Sequence, residues 1–240
     1  MSAKSSSIWI ISGEASGDNY GASLALELKA QSPSLILGGM GGEKMRQAGV
    51  DTIVDSQDLG VVGIFEVLRH LPVFIKIYRY LVKEAARVKP SAVILIDYPG
   101  MNMRLAAAFH KLQIPVFYYI SPQVWAWKKG RIPKLAATVN KMLCIFPFEP
   151  AVYQGSGLDA EFVGHPLLKT LQEFRLPEDK REKDTILLLP GSRSAELKRL
   201  LPLLFETAEM LHKQKPELKF EISLANEKSL KLAETLLSNY

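Results

Sequence analysis

The chain has 240 residues, 48% of them hydrophobic and 23% charged, a composition that excludes a disordered or collagen-like protein. A chain of this length can bury roughly 70% of its unfolded surface, so its core needs no covalent staples. The single cysteine, Cys144, excludes an internal disulfide and a cysteine-built zinc site, and it points to a reducing, cytoplasmic setting. The net charge of +5 is uneven: residues 1–170 hold 18 Lys/Arg against 13 Asp/Glu, whereas residues 171–240 hold 12 of each. A basic first part with a neutral second part suggests an anionic partner for the first.

The opening residues are short and polar, and no run of about 18 uncharged apolar residues occurs. The sequence therefore predicts neither a secretory signal nor a bilayer span. Ile8–Ile11 reads as a strand and residues 18–31 as a helix. Between them, Gly13-Glu14-Ala15-Ser16-Gly17-Asp18 occupies the position where ligands sit in open parallel sheets. Glu14 and Asp18 would repel a bare phosphate, so with Ser16 they suit a sugar hydroxyl or amide; a helix cap by Ser16 or Asp18 explains the same residues equally well.

Residues 35–37 read as a strand and 43–48 as a short helix. The glycines between them, Gly38, Gly39, Gly41 and Gly42, match no phosphate-loop pattern and predict a tight turn. Residues 61–88 are helical with a break or kink at Pro72. Val61, Ile64, Phe65, Leu68, Leu71, Phe74, Ile75 and Tyr78 form its apolar stripe, interleaved with Arg69, Lys76 and Arg79. Residues 69–89 carry six Lys/Arg against one acid, so this segment is expected to meet an anionic membrane surface; a buried core face is the competing explanation.

Residues 92–96 form an uninterrupted apolar strand ending at Asp97, and Pro99 is expected to hold Tyr98 extended. A carboxylate there can accept a proton from an acceptor hydroxyl, or it can simply cap a turn. A helix over 104–111 and a strand over 116–119 lead to Ser121-Pro122-Gln123-Val124-Trp125-Ala126-Trp127, followed by Lys128, Lys129 and Arg131. Trp125 and Trp127 beside cations suit an acylated, phosphorylated sugar; single-stranded nucleic acid or a structural tryptophan pair would use the same residues.

Strands over 142–145 and 160–163 follow, then a charged linker over 176–184. The rhythm restarts with strands over 185–189 and 219–224 and helices over 195–214 and 227–237. Gly191, Ser192 and Arg193 lie where a strand enters a helix, an arrangement suited to a nucleotide diphosphate. His165 falls at the junction of the two parts, and no His/Asp/Glu set has metal-ligand spacing. Alternation of apolar strands and helices predicts an α/β protein with a parallel sheet covered on both faces: one domain over residues 1–175 and the opening of a second over 185–240.

Taken together, these motifs resemble the bacterial lipid A disaccharide synthase family. The resemblance rests on Ser12 to Asp18, Gly63 with Glu66-Val67-Leu68, Asp97 with Pro99 and Asn102, Ser121 to Trp127, Pro147-Phe148-Glu149, Val163 to Pro166 and Leu189 to Arg193, in the family's order along nearly the whole chain. It implies an inverting, metal-independent glycosyltransferase of the GT-B type, built from two Rossmann-like domains, with no cofactor. Its implied reaction joins UDP-2,3-diacylglucosamine to 2,3-diacylglucosamine 1-phosphate, giving a β-1,6 disaccharide and UDP at the cytoplasmic face of the inner membrane.

By the same resemblance Asp97 is the base and Arg193 handles the donor; Glu14, Ser16, Asp18, Asn102, Gln123, Trp125 and Trp127 are expected to meet substrate, and Gly191 and Ser192 the nucleotide with Arg193. Gly100 stands where many members carry an acid. Family members continue past residue 240, so the second domain is expected to be cut short and the chain inactive alone. The implied partners are the two substrates and the anionic membrane surface, with no nucleic acid and with a homodimer left open. A UDP-sugar epimerase-like enzyme and a non-catalytic lipid-binding remnant are the alternatives.

Overall fold

In the computed structural model, residues 7–56, 64–180, 182–191, 194–224 and 226–238 are described, without the side chains of 64–70, 169, 170, 173 and 228. The chain divides into two compact units, Met1–Glu173 and Phe174–Tyr240. In the first unit β1 (Ser7–Ser12), β2 (Ile36–Gly41), β3 (Asp51–Asp55), β4 (Ala92–Ile96), β5 (Val116–Tyr119), β6 (Lys141–Cys144) and β7 (Ala160–Phe162) form one parallel sheet in the order 3-2-1-4-5-6-7. The helices between them are α1 (Ala15–Gln31), α2 (Glu43–Gln47), α3 (Ile64–Val88), α4 (Pro99–Lys111), α5 (Ile132–Ala136) and α6 (Glu149–Val152), with α7 (Leu167–Glu173) after β7.

Side chains alternate across a strand, and β1 shows the result. Trp9 and Ile11 face a core shared with Ile77 and Leu81 of α3 and Phe109 of α4. Ile10 faces the opposite core, with Ala25 of α1 and Met45 of α2. Both faces are therefore covered, as uninterrupted apolar strands require. The strand order reverses between β1 and β4, so a crevice opens at their carboxyl ends.

Three expectations are corrected here. The glycines of residues 38–41 lie inside β2, not in a turn: Gly39 has φ +136°, and a Cβ there would stand 2.1 Å from the Ile10 carbonyl oxygen. Helix α3 runs unbroken through Pro72. Strand β3 and helices α5, α6 and α7 were not foreseen, because each is too short to show a clear periodicity. Tyr98 is not extended: it is left-handed (φ 48°, ψ 58°), and Pro99 opens α4, where its missing N–H costs nothing.

The second unit contains β8 (Thr185–Leu188), α8 (Ser194–Gln214), β9 (Lys219–Ile222) and α9 (Glu227–Leu237). β8 and β9 pair in parallel, and Leu197, Leu201, Phe205 and Ala233 form the buried core. Among the described residues no helix is long and apolar enough to cross a membrane.

Candidate active site

The crevice is built by close packing of two loops. β1 ends at buried Ser12, whose hydroxyl donates to the Glu14 carbonyl at 3.1 Å. A Cβ on Gly13 would stand 2.4 Å from the Tyr98 ring, and one on Gly17 would stand 2.3 Å from Ser12 Oγ. Glycine at both positions lets the β1 loop lie directly against the β4 loop. Phe74 of α3 stacks on Tyr98 with ring centroids 6.4 Å apart.

Asp97 and Tyr98 are both left-handed, with φ 44° and 48°. Such a conformation costs about 1–2 kcal/mol per non-glycine residue, so the surroundings must enforce it. Most of the enforcing contacts fall on the Asp97 backbone. Its N–H donates to the Tyr119 carbonyl at 2.9 Å, and its carbonyl accepts from Asn102 Nδ2 at 2.8 Å and the Tyr118 hydroxyl at 2.7 Å. Asn102 Nδ2 also donates to the Ile96 carbonyl at 3.0 Å. Burial holds the Tyr118 hydroxyl well above its ordinary pKa, so it stays a donor.

The Asp97 carboxyl is half-buried, and burial raises its pKa above the ordinary 3.8; the Tyr98 N–H, donating to it, pulls it partly back. It lines a pocket of about 260 Å³ together with Ser121, Gln123, Trp127, Arg131, Phe146 and Glu149, among others. The wall beside it is aromatic. Trp125 meets Phe148 edge-on at 5.1 Å, Phe148 stacks on Phe146 at 5.7 Å, and His165 tilts against Phe146 at 5.6 Å. Trp127 is 64% exposed, with Lys128 Nζ 4.3 Å above its ring.

The structure thus brings Asp97, Gln123 and Trp127 to one pocket. Exposed Glu14 and Ser16 stand at the adjacent end of β1, and Glu14 is near enough to help burial raise the Tyr98 hydroxyl to about 12. Two predicted substrate contacts are reassigned. Asp18 is buried and caps α2, not α1, accepting from the N–H groups of Gly42 (2.7 Å), Lys44 (3.1 Å) and Met45 (3.2 Å). Asn102 is fully buried beneath the Asp97 turn, where its amide clamps the backbone and meets no solvent.

Gly191 adopts φ +95° in the loop before α8, a conformation that favours glycine, whereas Ser192 and Arg193 lie outside the described residues. Sequence reasoning named Arg131 only as one of three cations beside the tryptophans, and it gave Glu149 no role in the site. For Arg131 a signal existed: no acid occurs between Asp97 and Glu149, a span holding seven Lys/Arg. Glu149 is buried, and its Oε2 accepts from the Ile145 and Phe146 N–H groups at 3.0 Å each, which fixes the turn after β6.

Residues 8–240 match the lipid-A-disaccharide synthetase family. The chain belongs to that family. The lipid-A-disaccharide synthase of Anaeromyxobacter dehalogenans (strain 2CP-C) is 42% identical over 227 residues, covering 91% of this chain and 58% of the relative. That of Syntrophus aciditrophicus (strain SB) is 43% identical over 229 residues, covering 91% and 59%. The chain therefore spans somewhat more than half the length of these relatives. In fold it is similar to the UDP-GlcNAc 2-epimerase of Neisseria meningitidis bound to UDP-GlcNAc, with a TM-score of 0.61 at 12% identity, covering 97% of this chain and 69% of that one. Within the lipid-A-disaccharide synthetase family this α/β architecture is of the GT-B type.

Proposed function

We propose that the chain carries the acceptor side of a lipid-A-disaccharide synthase, with the second unit belonging to the nucleotide-sugar donor. The observation that carries this reading is the Asp97 carboxyl: half-buried, raised in pKa, and lining a pocket with Gln123 and Trp127 in a member of this family. Ligand pockets commonly start near about 300 Å³. A pocket of about 260 Å³ accommodates a sugar head and leaves acyl chains outside it.

In this reading 2,3-diacylglucosamine 1-phosphate presents its 6-hydroxyl to Asp97. As that oxygen bonds to the anomeric carbon of UDP-2,3-diacylglucosamine, the carboxylate takes its proton. The anomeric C–O bond to the diphosphate breaks on the opposite face, so configuration inverts and UDP leaves with the electron pair. A carboxylate with a raised pKa is a stronger base than an ordinary aspartate. Trp127 offers a ring face to the sugar and Gln123 an amide to its hydroxyls. Gly191, Ser192 and Arg193 are assigned to the UDP diphosphate.

Helix α3 supplies the membrane side of the proposal. Leu71, Val73 and Ile75 are exposed, and Leu71, Pro72 and Ile75 line a shallow groove with Lys76 and Arg79. Phe74 and Tyr78, by contrast, pack on the core, and the side chains of residues 61–70 lie outside those described. Each cation near an anionic bilayer contributes about 1 kcal/mol at low salt. Contact there would let the enzyme reach a sugar head while its chains stay in lipid.

The test is an assay with both substrates, using a protein that carries these 240 residues at the relatives' full length. Disaccharide and UDP in equal amounts are expected. Epimerised UDP-sugar, or lipid binding without turnover, would overturn the reading.

A further inference from the structure

We infer that Arg131 recognises the phosphate of the acceptor sugar and so decides which acceptors enter the pocket that Asp97 lines. The inference rests on the proposed function and adds to it a residue and a specificity. Arg131 ends the short 3₁₀ turn Lys129–Arg131 and lines the same pocket as Asp97, Gln123 and Trp127. The turn is well anchored: the Arg131 N–H donates to the Lys128 carbonyl at 2.9 Å, and α5, which follows directly, buries Leu135 completely.

What distinguishes Arg131 is a cation in the pocket lining with no described counter-charge. Its side chain is partly buried, and among the described residues no carboxylate pairs with it. The two acids in the pocket are otherwise occupied. Glu149 Oε2 is taken by two backbone N–H groups, and Asp97 is stabilised by the Tyr98 N–H and by no cation. The neighbouring cation Lys128 is already engaged, lying over the Trp127 ring.

A guanidinium that lines a pocket and pairs with no described carboxylate is free to take an anion from a ligand. Its planar fork fits the oxygens of a phosphate two at a time, which a lysine cannot reproduce. The donor's diphosphate is the other source of that chemistry. The acceptor is favoured because every residue lining the pocket belongs to the first unit, the side proposed to hold it. Asp97 then meets one position of the acceptor ring and Arg131 another, so the phosphate orients the hydroxyl toward its base.

The experiment titrates the 240-residue chain, in detergent micelles, with 2,3-diacylglucosamine 1-phosphate, with unphosphorylated 2,3-diacylglucosamine and with UDP. The parent chain is expected to prefer the phosphorylated acceptor by about 10- to 100-fold, the scale of a charge-assisted contact. Arg131→Ala should erase that preference while leaving affinity for the unphosphorylated sugar unchanged, and Arg131→Lys should restore part of it. Retention of the full preference by Arg131→Ala overturns the inference, as does a loss confined to UDP. Equal weakening of both acceptors in the Ala and Lys variants would assign Arg131 a structural role and also overturn it. A parent chain that binds neither acceptor would overturn the acceptor reading itself, and the inference with it.

Discussion

Asp97 combines a strained backbone with a half-buried carboxyl, and each property follows from its neighbours. The left-handed turn is held by Asn102 and Tyr118, neither of which needs to touch substrate. Substitution to Asn preserves the shape and tolerates positive φ, so the turn should survive. Turnover by the full-length enzyme is expected to fall by about 10²–10⁴, the range for losing general-base help. The parent's acidic limb should lie above that of an ordinary aspartate, because burial raises the folded pKa, and Asp97→Asn should flatten it. Stability follows the same sign. The folded state binds the proton more tightly than the unfolded state, so the stability due to the neutral carboxyl is complete below the unfolded pKa. It is lost as pH rises through the raised folded one. Asp97→Asn should therefore match the parent in strong acid and exceed it at neutral pH. Thermal melts across pH check this; a variant less stable than the parent at neutrality would mean that the carboxylate is a structural anion.

Helix α3 shows how one element serves two environments. Ile77, Leu81 and Ala85 recur at i and i+4 and are buried, whereas Leu71, Ile75 and Arg79, on the same spacing, line the outer groove. Leu71→Ser with Ile75→Ser should lower co-sedimentation with phosphatidylglycerol vesicles by about tenfold or more, since each loses much of its transfer energy. Circular dichroism should stay unchanged, and salt should release the parent chain. Phe74→Ser should behave differently, because its ring supports Tyr98 and through it the Asp97 turn. Unchanged vesicle binding by the double serine variant would remove α3 from the membrane contact. Unfolding of that variant would show the outer groove to be core.

At the scale of the whole molecule the two units are unequal. The first has seven strands and cores on both sheet faces, while the described part of the second has two parallel strands and four buried apolar residues. Two strands alone are marginal, and parallel pairing is weaker than antiparallel. Amide exchange is therefore expected to be much faster in β8 and β9 than in β1 and β4, and the second unit should open below the global unfolding temperature. Equal protection across both units would show that the second is stabilised beyond its own core.

Much of this was legible along the chain. Uninterrupted apolar runs at residues 8–11, 92–96 and 116–119 could only be buried strands, and the residues after the first two mark a crevice once the sheet is parallel. The periodicity of residues 227–237 gave α9 its bounds. By contrast, Asp18 and Asn102 looked like ligand contacts because a polar residue in a motif has the same letter whether it faces solvent or a buried N–H. Only the fold, by bringing Gly42 to Asp18 and the Asp97 carbonyl to Asn102, decided that both are structural. The glycines of β2 looked like a turn because local propensity favours one. They lie in a strand because Ile10 and Met45 leave no room for a Cβ at Gly39 and Gly41. Strand and helix types depend on local pattern, which sequence carries; burial, hydrogen-bond partners and the neighbours of a charge such as Arg131 depend on residues far apart along the chain, which only tertiary packing brings together.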